Sequence, residues 1–106
     1  MTLNLKAKDE VWSKDGRRLG LADHIYHRTE TENVDPELEL YASYLHVFST
    51  EIGDDYYVPL NFIKKDEKDG RFTIDLTMED AMARGWSRLP DFVAKDKATK
   101  EELPEK

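Results

Sequence analysis

The chain has 106 residues, which suits one domain, and its 23 acidic against 16 basic residues give a formal net charge of −7. This charge argues against nucleic acid and anionic membrane surfaces as partners, because proteins bind both largely through Lys and Arg. The absence of cysteine from the sequence excludes disulfides, thiolate catalysis and cysteine-ligated zinc.

The first part of the chain predicts a β-hairpin. Residues 3–8 alternate between apolar and polar side chains, which is the period of a half-buried strand. A turn is indicated at Ser13–Gly16, because Asp-Gly supplies a residue that tolerates positive φ. The stretch "RRLGLADHIYHR" supplies the return strand, in which Gly20 indicates a bulge or a bend. We therefore expect residues 3–28 to form a hairpin.

Two aromatic strands are predicted next. Residues 38–49, "LELYASYLHVFS", are aromatic and β-branched enough for a third strand, although Ala, Leu and Glu leave a helical start open. Residues 56–63, "YYVPLNFI", predict a fourth strand with Pro59 in its middle. Proline has no N–H to donate to a sheet ladder. We therefore expect the strand near Pro59 to lie at an edge or a bend, with its N–H side unpaired.

The fourth strand divides into two faces by alternation. The set that should face the core is fully apolar and comprises Tyr56, Val58, Leu60 and Phe62. Tyr57 and Ile63 lie on the other face. If that face is exposed, they would form part of an apolar patch, of the kind that marks interaction surfaces. The alternative is that the C-terminal tail or the Trp86 segment covers them.

The C-terminal part predicts one more strand and a short helix. Residues 71–76, "RFTIDL", alternate cleanly and form the fifth strand. Thr77 stands where a helix N-cap belongs, two acidic residues follow in the first turn, and Gly85 stands just past the end. We therefore expect a helix over residues 78–84.

An apolar segment, "GWSRLPDFV", follows this helix, and Pro90 limits any further helix in it. Trp86 is flanked by Arg84 and Arg88. This arrangement fits either a lid that closes one end of the domain or a docking motif, since Trp and Arg are frequent at the centres of interfaces.

Together these elements predict a mainly β domain over residues 1–93. Its architecture would be a small, strongly bent antiparallel sheet or β-barrel of about five strands with one short C-terminal helix. Residues 94–106 are too polar and charged to offset the entropy lost on ordering, so we expect them to form a disordered tail.

The stretches "DGRRLGLADHIY", "YYVPLNFI" and "DGRFTIDL" resemble the PRC-barrel domain family, of the stand-alone type found in bacteria and archaea. The resemblance covers residues 11–76, and its most specific parts are Gly16, Gly20 and the "VPL" of residues 58–60. It implies an adaptor or docking module rather than an enzyme. It also implies that there are no shared catalytic residues to carry over.

Three histidines make a metal or small-ligand site a second hypothesis. His24 and His27 form H-x-x-H, but a three-residue spacing on a strand points the two side chains to opposite faces unless a bulge intervenes. His46 could join one of them across the sheet, with Asp23 nearby. The alternative is that these are polar strand residues with satisfied hydrogen bonds. A site near His24 and His46 is therefore kept as the alternative function.

The favoured hypothesis is a non-catalytic protein-interaction module with an unknown protein partner, and a homodimer is one possibility. The candidate interaction residues are Tyr57, Ile63, Arg84, Trp86 and Arg88. No catalytic residue, cofactor or metal ligand is predicted, because turn chemistry and the helix dipole already explain the acidic pairs at 54–55 and 79–80. The first residues lack a signal-peptide pattern and no segment approaches the roughly 18 apolar residues of a membrane span, so we expect a cytoplasmic protein.

Overall fold

The computed structural model describes residues 5–29, 42–49, 55–65 and 71–105, and in these ranges the chain forms seven strands and two short helices. The strands are β1 (Glu10–Trp12), β2 (Arg18–Arg28), β3 (Ser43–Phe48), β4 (Asp55–Pro59), β5 (Ile63–Lys65), β6 (Phe72–Ile74) and β7 (Ala98–Glu102). The helices are α1 (Met78–Ala83) and α2 (Asp91–Ala94), and a 3-10 turn, Leu60–Phe62, separates β4 from β5. The predicted start of the third strand, residues 38–41, lies outside the described residues.

The strands form one mixed sheet in the order β4-β3-β2-β1-β6-β5, with β7 pairing with β2. The pairs are antiparallel except β1 with β6, which is parallel. The long strand β2 pairs with β3 along one side and with β1 and then β7 along the other. The mainly β prediction is confirmed. The sheet is nevertheless mixed rather than antiparallel and has more than five strands. Over the described residues it is not closed, because β4 and β5 form its two ends.

The predicted N-terminal hairpin forms, but over a shorter range. β1 and β2 pair antiparallel, and Ser13 N–H donates to the Arg17 carbonyl at 2.7 Å across the turn. The strand predicted over residues 3–8 does not extend into the described residues that precede β1. There Ala7 N–H donates to the Pro104 carbonyl at 2.9 Å, and Leu5 is buried in the core. The start of the described chain is therefore hydrogen-bonded to the C-terminal region through Ala7 and to β2 through Lys8, whose N–H donates to the Ala22 carbonyl at 2.7 Å.

Strand β2 carries two bulges, one on each side. Leu19 is the extra residue in the ladder to β1, and Asp23 is the extra residue in the ladder to β3. Each bulge shifts the alternation by one residue, so Leu19, Ala22 and Ile25 reach the same core at a spacing of three. The bulge or bend predicted at Gly20 is confirmed. The second bulge, at Asp23, positions the site described below.

The sheet has an apolar core on each face. The main core consists of buried residues from every strand except β7, from α1 and the segment after it, and from both terminal regions: Leu5, Val11, Leu19, Ala22, Ile25, Leu45, Val47, Tyr56, Val58, Ile63, Phe72, Ile74, Ala81, Trp86 and Leu103. A smaller aromatic cluster lies on the opposite face, because its strand residues alternate with those of the main core. It consists of Tyr44 and Phe92, with Tyr26, Tyr57, Phe62, Val93 and Ala98 packed against them.

Pro59 is the last residue of β4, which is an end strand of the described sheet. Tyr57 N–H donates to the Trp86 carbonyl at 2.8 Å, so it points away from β3. Alternate residues of a strand direct their N–H groups to the same side, so the nitrogen of Pro59 also points away from β3. No ladder hydrogen bond is lost at Pro59, as predicted.

The predicted fourth strand is broken after Pro59, and this changes which side chains are buried. The 3-10 turn Leu60–Phe62 resets the alternation, and Ile63 begins β5 with its side chain in the main core. The prediction that Ile63 shares an exposed face with Tyr57 is therefore wrong. Tyr56 and Val58 face the main core as predicted.

The helix prediction is confirmed for α1. Thr77 Oγ1 accepts a hydrogen bond from the Asp80 N–H at 3.2 Å, which is an N-cap. Helix α2 differs from the expectation that Pro90 limits any further helix in this segment. Pro90 instead precedes the first turn, where its missing N–H costs nothing, and its carbonyl accepts from Val93 N–H at 3.0 Å. Neither helix of the described chain has the length and apolar character needed to cross a membrane.

Residues 98–102, predicted as part of a disordered tail, form strand β7 on the edge that β2 presents beyond β1. Backbone hydrogen bonds rather than apolar side chains hold this strand, which is why its polar sequence did not indicate it. Leu103 follows and is 8% exposed in the main core. Residues 98–102 therefore form a strand because β2 offers a free edge and because the next residue, Leu103, is buried.

Leu103→Ala is expected to lower the free energy of unfolding by about 2 kcal/mol, because the substitution empties a buried site in the main core. The measurement is urea denaturation, with Glu105→Ala as the matched control at an exposed position two residues away. The control should change stability by less than about 0.5 kcal/mol. Equal and negligible effects of both substitutions would indicate that residues 94–106 form a disordered tail.

Candidate functional site

A cluster of one carboxylate and two imidazoles lies where β2 and β3 pair. His24 and His46 are direct cross-strand partners, and their ring centroids are 4.8 Å apart. Because Asp23 is the extra residue of the β2 bulge, its side chain does not follow the alternation of faces along the strand. It points toward the same two rings. Bulges often re-aim a side chain in this way beside functional sites.

One oxygen atom of Asp23 meets both rings. Asp23 Oδ2 lies 2.8 Å from His24 Nδ1 and 3.1 Å from His46 Nδ1. The three residues each offer a ligand atom, and these atoms lie within 4.8 Å of one another. The bulge therefore gathers three groups that bind divalent transition metals around one point.

The remaining ring nitrogens are enclosed. His24 is 4% exposed, and Nε2 of both His24 and His46 is buried without a hydrogen-bond partner among the described residues. Asp55 Oδ1 does lie 3.2 Å from His46 Nε2, which is ion-pair range. This distance is short enough for an ion pair, but the two groups lack the alignment that a hydrogen bond requires. We therefore treat Asp55 as adjacent to His46 Nε2 but not as hydrogen-bonded to it.

The charge state of the cluster suits a metal. Burial lowers the pKa of His24 below its ordinary value of 6.5, and the Asp23 carboxylate only partly opposes this. Burial alone would raise the pKa of Asp23, but hydrogen bonds and charge interactions with His24 and His46 outweigh it and the pKa is lowered. At neutral pH His24 is therefore neutral and Asp23 is ionised. Metal ions bind these forms of imidazole and carboxyl groups.

Two tyrosines from the aromatic cluster surround the rings. Tyr26 meets His24 edge-on with centroids 4.6 Å apart, and Tyr57 stacks on His46 with centroids 5.2 Å apart and planes 15° apart. Burial, and after it the charge of Asp55, raises the pKa of Tyr57, so this phenol stays protonated. The tyrosines fix the orientation of the two imidazoles and exclude water from their faces.

His27 does not join the cluster, as its spacing on β2 predicts. No bulge separates His24 from His27, so the two side chains point to opposite faces. His27 Nδ1 lies 2.7 Å from Ser43 Oγ, and its Nε2 lies 2.7 Å from Glu101 Oε1 of β7. This histidine therefore has hydrogen-bond partners at both ring nitrogens.

The five predicted interaction residues are not brought together on one surface. Ile63 and Trp86 are buried in the main core, and the Trp86 ring meets Phe62 edge-on. Trp86 is therefore a packed core residue and is not exposed for docking. Tyr57 is half-buried beside the histidines, while Arg84 and Arg88 are exposed.

Asp55 is the neighbour of the site that the sequence did not indicate. Its position beside Asp54 suggested a turn, whereas it begins β4 opposite Phe48. The sequence signal that could have placed it is its spacing of two from Tyr57. Side chains two apart on a strand share a face.

Comparison with protein families, with curated proteins and with solved structures gives no match to this chain. The resemblance to PRC-barrel domains therefore stays a prediction.

Proposed function

We propose that this chain is a small metal-binding β domain that holds a divalent transition-metal ion at Asp23, His24 and His46. The observation that carries the proposal is the convergence of two facing imidazoles on a single carboxylate oxygen, at 2.8 and 3.1 Å. Two imidazoles and one carboxylate are a ligand set for zinc or iron(II). The absence of thiolate and thioether ligands from the set disfavours copper(I).

The spacing of the cluster is close to what such an ion needs. Zinc bonds of about 2.0–2.1 Å at tetrahedral angles place ligand atoms about 3.3 Å apart. The two contacts of Asp23 Oδ2, at 2.8 and 3.1 Å, are shorter than this by a few tenths of an ångström. All three ligand atoms lie within 4.8 Å of one another, so admission of the ion requires side-chain rotations that move the Asp23 oxygen away from both nitrogens.

Asp55 supports this ligand set from outside. If His46 binds through Nδ1, its N–H is on Nε2, and Asp55 Oδ1 is 3.2 Å from that atom. A carboxylate that accepts the second N–H of a metal-binding histidine fixes its tautomer and raises its affinity for the metal. A small rotation of Asp55 would align this bond.

Titration of tag-free, metal-free protein with zinc or cobalt(II) tests the proposal. We expect one equivalent to bind with a Kd in the micromolar range or below, and magnesium not to compete. Magnesium is the matched control, because it prefers an all-oxygen shell and reports the weak background binding expected of an acidic surface. Binding of zinc that is no tighter than that of magnesium would contradict the proposal.

A non-catalytic protein-interaction role remains a second candidate. What supports it is the exposure of two large apolar side chains in the C-terminal region, Met82 at 48% and Leu89 at 43%, close in sequence to exposed Arg84 and Arg88. Light scattering after size exclusion, together with a pull-down, tests it. A homodimer or a captured partner that depends on Leu89 would support it, and a monomer that captures nothing would count against it.

A further inference from the structure

The metal cluster offers three protein ligands, and the Asp55 carboxylate beside it cannot supply a fourth in the observed geometry. Asp55 lies beside His46 Nε2, whereas the convergence point lies at Nδ1. These two nitrogens are on different edges of the imidazole ring and their lone pairs diverge. Asp55 is therefore placed to orient His46 and not to bind the same ion.

The other neighbours are also occupied or turned away. Tyr57 lies over the face of the His46 ring, not at its nitrogen edge. Glu102 stands opposite His24 in the β2–β7 ladder, but its carboxylate holds Lys100 Nζ at 3.2 Å. Within the part of the chain that the structure describes, no fourth side chain is directed at the convergence point.

Solvent reaches the cluster from the side of the carboxylate. The Asp23 side chain is 45% exposed, whereas those of His24 and His46 are 6% and 14% exposed. An ion held here would contact protein on the imidazole side and solvent on the Asp23 side. A divalent ion with one carboxylate ligand retains a positive charge, so this outer position favours an anion over a neutral molecule.

We infer that the ion keeps one coordination position open to solvent and accepts a small monodentate anion there, such as a carboxylate or azide. This inference rests on the proposed metal site. Three protein ligands with a replaceable fourth are the arrangement of reactive metal sites, whereas structural sites use four protein ligands. The site therefore binds an exogenous anion through the metal ion, in addition to linking β2 and β3.

Cobalt(II)-loaded protein provides the test, because its visible absorption bands change when a ligand of the ion changes. Appearance of the bands on loading reports the metal site itself. Addition of azide or acetate is then expected to shift the bands in a saturable way, while chloride at equal ionic strength, as control, shifts them less. Bands that form but do not respond to any anion would overturn the inference and leave the metal site standing. If no bands form, both proposals fail.

Asp55→Asn separates the inference from a four-ligand alternative. If Asp55 only orients His46, the variant binds cobalt(II) more weakly, and at saturating cobalt both the native protein and the variant respond to azide with a similar shift. If Asp55 is itself the fourth ligand, the native protein is inert and only the variant responds. That second pattern would overturn the inference.

Discussion

Gly20→Ala is expected to destabilise the fold by about 3 kcal/mol or more. A Cβ atom at this position would lie 2.2 Å from the backbone oxygen of Phe48 and 2.6 Å from its carbonyl carbon. Both atoms belong to the end of β3, so relief requires that the β2–β3 pairing itself moves. Gly20 also has a φ of 156°, which side chains rarely allow. A loss of this size is a large part of the roughly 5–15 kcal/mol that stabilises a typical domain.

Gly16→Ala is the matched control for this substitution. Gly16 also has a positive φ, 82°, but an added Cβ there meets nothing within 4 Å. It should cost about 1–2 kcal/mol, from the left-handed backbone alone. Urea denaturation of both variants isolates the steric clash as the difference between them. Equal losses would show that β3 does not approach Gly20 as closely as described.

His46→Ala is expected to lower the zinc affinity by more than about 100-fold, since loss of an outer partner of a metal ligand already costs about 10–100-fold. His46 supplies one of three ligands, and no other described side chain is placed to replace it. Chelator competition measures the affinity. Because an alanine at this half-buried position also removes packing, Asp23→Asn serves as a second variant that keeps the shape and removes the charge. It should weaken zinc binding in the same direction.

His27→Ala is the control of the same residue type, at a position outside the cluster. His27 lies three residues after His24 on β2 and bonds to Ser43 and Glu101 instead of the cluster. Its removal should leave zinc affinity unchanged, although the side-chain interaction with Glu101 of β7 is lost. A His27 variant that loses affinity as strongly as the His46 variant would point to adventitious histidine binding.

Alternation along each strand predicted much of the fold. The β1–β2 hairpin, the aromatic strand β3, the edge position of Pro59 and helix α1 all depend on local patterns of turns, caps and period-two burial. Those patterns are properties of neighbouring residues, so a sequence displays them. Alternation predicted the wrong face where a bulge adds a residue to the strand. On β2, for example, Leu19, Ala22 and Ile25 share a core at a spacing of three.

For this reason the sequence predicted only part of the candidate site. The sequence suggested His24 and His46 across the sheet and correctly separated His27 from them. It could not place Asp23 at the convergence point, because a bulge is decided by how two strands fit together and not by one strand's composition. Strand β7 could not be predicted either, because its pairing depends on the edge that β2 leaves free.

Anomalous diffraction at the zinc edge, from crystals of tag-free protein soaked with zinc, tests the central claim most directly. We expect one strong peak about 2.0–2.2 Å from an imidazole nitrogen of His24, an imidazole nitrogen of His46 and a carboxylate oxygen of Asp23. The peak should have a non-protein ligand on its solvent side. A map with no peak between these three residues, or with peaks only at surface carboxylates, would contradict the account.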